Sequence, residues 1–337
     1  MKSAISFAIE FPPEHGDLKS LVAHLNKTCE PLRYKPLSEH APEEREGEEG
    51  FTFLMGTEGL VPMFSDDDAP LFELLPNGFA FAVKMEDKVI PPSALEVETQ
   101  AAASRITKAT GVIPTRKELD GLRDTVRGTL AARALSVTKG TRAVYHWDSK
   151  RLLVPVSSKS VAQRVVRTLL KAFPTVKSKT IHVNSLKDGL ATRLEAWVNG
   201  HNGQSDEGAF LPLLMGDKVT LKGAEGKKVI VDAGKVGIHD FREILRNAMS
   251  LGGMKVESIR LEDQSGIGFT LTHDFAFKGI SLSPVEAPED AEDAKAITLH
   301  MVACQLTEAS HLVDKVVEMF GWGDEAASGE GVKSEGQ

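Results

Sequence analysis

The sequence predicts an α+β fold: mixed antiparallel sheets with packed helices and a projecting helical arm. Three observations predict it. Segments with strand period and segments with helix period come in mixed order, the strand segments within 143–156 lie close enough to form a hairpin, and two helical segments stand in tandem over 93–130. A doubly wound parallel sheet would alternate strand and helix throughout.

Ile5, Phe7, Ile9 and Phe11 alternate with Ser6, Ala8 and Glu10, the period of a strand with one buried face, and Pro12 and Pro13 end it. Asp17 is placed to cap a helix with Leu18, Leu21, Val22 and Leu25 on one stripe. Glu39 to Gly50 reads as an acidic loop. Phe79, Phe81, Val83 and Met85 share the face of a second strand, and Lys88 to Pro92 leads into a helix over 93–110. Gly111 and Pro114 interrupt it, and Thr115-Arg116-Lys117-Glu118 is a capping box that starts another helix with Leu119, Leu122, Val126 and Leu130 as its stripe. The first of these helices has few large apolar residues, which suits an arm better than a core.

Ala143, Tyr145 and Trp147, then Asp148-Ser149-Lys150, then Leu152, Val154 and Val156 spell a hairpin. Ser160 is the expected cap of the next helix, whose stripe is Val161, Val165, Val166, Leu169, Leu170 and Phe173. Short strands are expected at 217–233, 254–262 and 268–282, the last with Phe269, Leu271, His273, Phe275 and Phe277 alternating. A helix from His239 to Met249 separates the first two of these, with His239-Asp240 as its cap. A strand at 296–304 is expected before a final helix with Leu312, Val313, Val316, Val317 and Phe320. The resulting division is a central α+β region of 1–92 and 136–200, a helical arm of 93–135, a C-terminal α+β region of 201–322, and a disordered acidic tail of 323–337.

Composition narrows the function classes. The 337 residues carry 40 Lys and Arg against 48 Asp and Glu, a net charge of −8 that at first argues against nucleic acid as a partner. The charge is unevenly placed. Residues 101–193 hold 19 cations against five acids, so this segment is +14 and the remainder −22. Because these cations are spread over several predicted elements, folding can gather them on a broad surface, while the acidic remainder repels a polyanion from elsewhere. Few aromatics lie among them, which favours backbone contacts to a duplex over single-strand stacking. Two cysteines, Cys29 and Cys304, are too few for a zinc cluster or a disulfide framework, and no run approaches a membrane span, so a cytoplasmic chain with no cofactor and no membrane partner is expected.

Catalytic motifs are absent: the sequence contains no GxxxxGK[ST], GxGxxG, HExxH, GxSxG or CxxC. Asp66-Asp67-Asp68 offers oxygen ligands, so a metal-dependent DNA-processing enzyme is the alternative reading, although a solvated acidic loop between Pro62 and Pro70 is the plainer one. A protein-interaction scaffold whose cations meet an acidic partner is a third.

The stretch Lys84 to Pro92, the helical segment after it, Thr129 to Leu135, the hairpin and Leu169 to Pro174 together resemble the bacterial recombination-associated RdgC family. Thr192 to Val198 and the order of elements over 217–261 are similar as well. The resemblance implies a ring-shaped homodimer that encircles double-stranded DNA without sequence preference and restrains a RecA-type recombinase, on the nucleoid and with no catalysis. It carries the family's arginine to Arg133, and places Leu135 where the family has a Phe that contacts the partner subunit. Ala132 replaces the family's proline, and Gly59-Leu60-Val61-Pro62 lacks its tryptophan. The expected DNA-contacting residues are Lys88, Arg116, Lys117, Arg123, Arg127, Arg133 and Lys139, with Lys222, Lys227 and Lys228 in the C-terminal region.

Overall fold

A computed structural model of the chain describes residues 1–12, 16–40, 43–44, 51–52, 54–64, 69–176, 178–180, 189–200, 207–286 and 293–320. The acidic tail and most of the loop expected over 39–50 lie outside them. In chain order the first elements are β1 (Ser3–Ile9), α1 (Leu18–Thr28), β2 (Glu43–Glu44), β3 (Phe51–Thr52), β4 (Gly56–Val61), β5 (Phe72–Leu75) and β6 (Gly78–Lys88). The pair α2 (Pro92–Thr110) and α3 (Arg116–Ala131) follows, then β7 (Ser136–His146), β8 (Arg151–Val154), α4 (Lys159–Leu170), β9 (Ser178–Thr180) and α5 (Gly189–Asn199). The remainder is β10 (Leu214–Lys222), β11 (Lys228–Asp232), α6 (Ala233–Val236), α7 (Ile238–Ser250), β12 (Lys255–Glu262), β13 (Gly268–Thr272), β14 (Phe277–Lys278) and α8 (Ala294–Met319). The architecture is mixed α+β. No helix of the described residues is long and apolar enough to cross a membrane.

The chain divides into two compact units: the first is Met1–His24, Glu73–Ala80 and Ala143–Gln337, the second Leu25–Phe72 and Phe81–Arg142. The first contains an open antiparallel sheet in the order β11-β10-β12-β13-β14-β1-β8-β7. Near β1 its core is aromatic. Phe11 lies 5.1 Å from Tyr145 and 5.4 Å from Phe173 between ring centroids, Tyr145 stacks on Phe79 at 4.9 Å, and the Tyr145 hydroxyl donates to the Ile9 carbonyl at 2.9 Å. Each such ring contributes about 1.5–3 kcal/mol by burial. Toward β11 the core is built from Val219, Leu221, Val231, Ile259 and Leu261 on the strands and Leu194, Trp197, Phe241 and Leu245 on α5 and α7, all buried.

Four expectations are corrected. Residues 296–304 are helical, as part of α8, because Ala303, Leu306, Ala309, Leu312, Val313, Val316 and Met319 are buried at steps of three and four, a stripe that the β-branched pair Ile297-Thr298 obscures in the sequence. The alternation from Phe269 to Phe277 is broken by a turn in which Phe275 takes φ 59° and the Thr272 hydroxyl accepts from Ala276 N–H at 2.9 Å. The N-cap of α4 is Ser158, not Ser160, and its side chain makes no capping bond. Gly237 precedes α7 as its N-cap, so Asp240 falls in the first turn, where its charge suits the helix dipole. Asp17 does cap α1, accepting from Ser20 N–H at 2.8 Å, and the Thr115–Glu118 capping box is formed.

In the second unit β4 runs antiparallel to β6, from Gly56↔Asp87 to Val61↔Ala82. The buried Glu86 of β6 anchors this unit: its carboxylate accepts from the Tyr34 hydroxyl and from Leu37 N–H at 2.9 Å. Hydrogen bonds from Ser136 and Tyr34, then from the Leu37 backbone, hold its pKa down to about 2. Ser136 opens β7 directly after the arm, so this one carboxylate ties the far end of the α2–α3 excursion back to β6.

A carboxyl at about 2 when folded and near 4.5 when unfolded stabilises the fold fully above about pH 4.5, and that stabilisation is lost as pH falls through 2. Glu86→Gln is therefore expected to cost about 1–3 kcal/mol at neutral pH and to flatten the fall of Tm between pH 5 and 2. Thermal melts across that range check it; parallel curves for parent and variant would exclude Glu86 as the titrating group.

Candidate nucleic-acid interface

The open face of the first unit's sheet carries a row of lysines. Register sets Lys222 of β10 opposite Lys228 of β11 on one side and opposite Lys255 of β12 on the other, and all three are exposed. Residues directly opposite on neighbouring strands share a face with Cβ atoms about 5 Å apart, so like charges there destabilise the sheet. Beside the row stand Ile230, Thr220 and Ser258, and beyond them Asp232 and Lys218.

Local carboxylates neutralise only part of this charge. The register shift between Thr220 and Leu221 leaves Glu257 as the extra residue of a bulge in β12, and its carboxylate meets Lys228 Nζ at 2.6 Å. Asp232 stands 3.8 Å from Lys218. Neither Lys222 nor Lys255 has an ion-pair partner among the described residues. Lys227, exposed just before β11, closes the β10–β11 hairpin through its carbonyl. Lys255 was not singled out from the sequence, because only the strand register reveals that it stands beside Lys222.

Most of the other expected cations lie on the arm, in the second unit. Arg116, Arg123 and Arg127, spaced by seven and four residues, share one exposed stripe of α3, interrupted by Asp120. Arg127 bonds Asp124 at 3.2 Å, a solvent-exposed pair of small energetic weight. Lys117 is exposed off that stripe. The half-buried Leu119, Leu122, Val126 and Leu130 form an adjacent stripe of the helix, and α2 buries only Leu95 and Thr99. Arg133 and Lys139 are exposed, and Leu135 leaves 83% of its surface open while its carbonyl accepts from Val89 N–H at 2.9 Å. Lys88 is half-buried and its Nζ donates to the Ala131 carbonyl, so its ammonium caps the C-terminus of α3.

Other cations of the basic segment already have partners, Lys150 on the surface and Arg151 and Arg193 partly buried. Lys150 pairs with Glu10 and Arg151 with Asp314 at 3.0 Å. Arg193 donates to the carbonyls of Ala209, at 2.7 Å, and of Met319, and lies 5.0 Å from the centroid of the Phe320 ring; burial lowers its pKa.

Asp66, Asp67 and Asp68 lie outside the described residues. The one group among the described residues able to bring three ligand atoms together is His239, Asp240 and Glu243, all exposed on the first turns of α7. A metal held only by exposed side chains of a single helix lacks the surrounding hydrogen bonds that orient ligands for catalysis.

Residues 21–322 match a family model described as "Putative exonuclease, RdgC". The chain is similar to proteins named recombination-associated protein RdgC. That of Shewanella halifaxensis is 24% identical over 260 residues, 77% of each chain, and that of Shewanella oneidensis 25% identical over 234 residues, 69% of this chain and 70% of the relative. The relative from Cupriavidus pinatubonensis is 27% identical over 135 residues, 40% of this chain, so the match spans less than half, 44%, of that relative's length.

Because the lysine row is a repulsive arrangement, removing it relaxes the sheet. Lys222→Gln is expected to leave stability unchanged or to raise it by about 0.2–1 kcal/mol, read from the denaturant midpoint at low salt. A marked loss of stability would show that Lys222 is a structural residue.

Proposed function

The chain belongs to the RdgC family, and on that premise we propose that it binds double-stranded DNA without sequence preference, as a ring-shaped homodimer that encloses the duplex and modulates a RecA-type recombinase. The observation that carries this reading is the exposed Lys222–Lys255 pair within the lysine row of the open sheet face. A surface with uncompensated lysines and hydroxyl side chains suits phosphate oxygens, whose contacts carry no sequence information. Arg116, Arg123, Arg127, Arg133 and Lys139 add exposed cations on the second unit, and Leu135 adds an exposed apolar side chain for a subunit contact. The names of the relatives support a place in recombination; a site of action on nucleoid DNA in the cytoplasm belongs to the same proposal.

The word "exonuclease" in the family description favours a second reading, a metal-dependent nuclease using Asp66 to Asp68. Incubating end-labelled duplex with magnesium distinguishes the two. Degradation lost in Asp67→Ala would establish the nuclease and displace the binder, whereas intact duplex at saturating protein supports binding without catalysis.

If both lysines contact phosphates, Lys222→Gln with Lys255→Gln lowers the slope of log affinity against log salt by about two and weakens unrelated duplex sequences equally. Fluorescence anisotropy over a salt series measures it. Arg133→Ala is expected to weaken all sequences alike, and a sequence-selective loss would count against backbone contacts.

A further inference from the structure

We propose that the acidic segment 321–337, which follows α8, lies over Lys222 and Lys255 when no duplex is bound, so that DNA must displace it. The inference rests on the phosphate-binding role given to those lysines above and adds a regulation of it, a competitor carried by the same chain. Position is the first support. Lys222 ends β10, Lys228 begins β11 and Lys255 begins β12, so the row lies at one end of the sheet. The turn after β13 stands at that same end: Thr272 pairs with Ser258, and His273 N–H donates at 2.9 Å to the carbonyl of Glu257, two residues from Lys255. Phe275 of this turn packs edge-on against Phe320, with ring centroids 5.3 Å apart. Arg193 fixes the same point, since it donates to the Met319 carbonyl and lies against the Phe320 ring. The chain therefore leaves α8 beside the lysine row.

Charge is the second. Residues 321–337 carry Asp324, Glu325, Glu330 and Glu335 against Lys333 alone, a net −3, and the row offers two lysines without an ion-pair partner among the described residues. Seventeen residues span at most about 60 Å when extended, so the carboxylates have the reach to meet the row. The linker 286–293 is acidic too, but it enters α8 at the opposite end, and a helix of 26 residues is about 39 Å long. Exposed ion pairs are individually weak. A tethered segment, however, meets its site at an effective concentration in the millimolar range, which lets weak pairs compete. Covering the row also relieves the repulsion between its lysines. The apparent affinity for duplex then falls in proportion to the share of chains whose row is uncovered.

The test compares the full chain with a variant carrying Asp324→Asn, Glu325→Gln, Glu330→Gln and Glu335→Gln, by fluorescence anisotropy on labelled duplex. At low salt the variant should bind about threefold or more tightly than the parent. The gain should shrink as salt rises and vanish when Lys222→Gln and Lys255→Gln are added. No gain, or an equal gain without the two lysines, overturns the inference. A second measurement needs no DNA: carbodiimide joins carboxylates to amines in contact, and peptide mass spectrometry should find acids of 324–335 coupled to Lys222 or Lys255 in the free chain. These links should disappear at saturating duplex. Their absence from the free chain, or their persistence on DNA, overturns the inference while leaving the DNA reading in place. A parent that binds no duplex overturns the DNA reading, and the coupling then still decides whether the segment covers the row.

Discussion

An antiparallel sheet has two faces, and over β10 to β13 the hydrophobic effect needs only one. Val219, Leu221, Val231, Ile259, Leu261, Phe269 and Leu271 are buried, as are Phe241 and Leu245 of α7 and Leu194 and Trp197 of α5. The alternate positions are then free of packing demands, and Lys222, Lys228 and Lys255 occupy them in a row. Such a row opposes folding slightly. It persists because the buried face outweighs it: each large apolar side chain there contributes about 1.5–3 kcal/mol, whereas a like-charge pair on the surface costs a fraction of one. The sheet thus holds a repulsive charge pattern in place without needing that pattern for its own stability, as a phosphate-binding surface requires.

Much of the fold was legible from local signals. The capping box at Thr115, the cap at Asp17, the strand of Phe79 to Met85 and the hairpin around Ser149 all depend on residues close in sequence, and the structure contains each. Errors arose where distant residues decide. Residues 296–304 alternate weakly and carry β-branched side chains, but their helix is fixed by a stripe that continues to Met319. Phe275 looks like one more inward strand residue, yet it turns at φ 59° and packs edge-on against Phe320 at 5.3 Å. Ring packing across 45 residues of chain leaves no local pattern to read.

The candidate site shows the same limit. The sequence marked the cations of 101–193 by their density, but density does not say whether a charge is already paired. Arg151, Lys150 and Arg193 spend theirs inside the first unit, and Lys88 spends its own on the end of α3. Lys255 lies outside the dense segment, in a region whose net charge is negative, and still faces outward beside Lys222 with no acid to meet it. A cation's availability to a ligand is set by its cross-strand and cross-helix neighbours, which register alone determines.

The net charge of −8 is therefore a poor guide to what this chain can hold. A duplex approaching it responds to fields within about a Debye length, roughly 8–10 Å at physiological salt. On that scale the relevant quantity is the two unpaired lysines of one sheet face, Lys222 and Lys255, not the acids elsewhere. Those acids act oppositely: they repel the polyanion from other surfaces and so narrow where it can rest. A surface that attracts weakly and without base contacts gains specificity for duplex over other polyanions only from shape. An enclosing dimer would supply that shape, which is why the lysine row and the proposed homodimer belong to one argument: the row supplies diffuse attraction, and enclosure supplies the fit to a duplex.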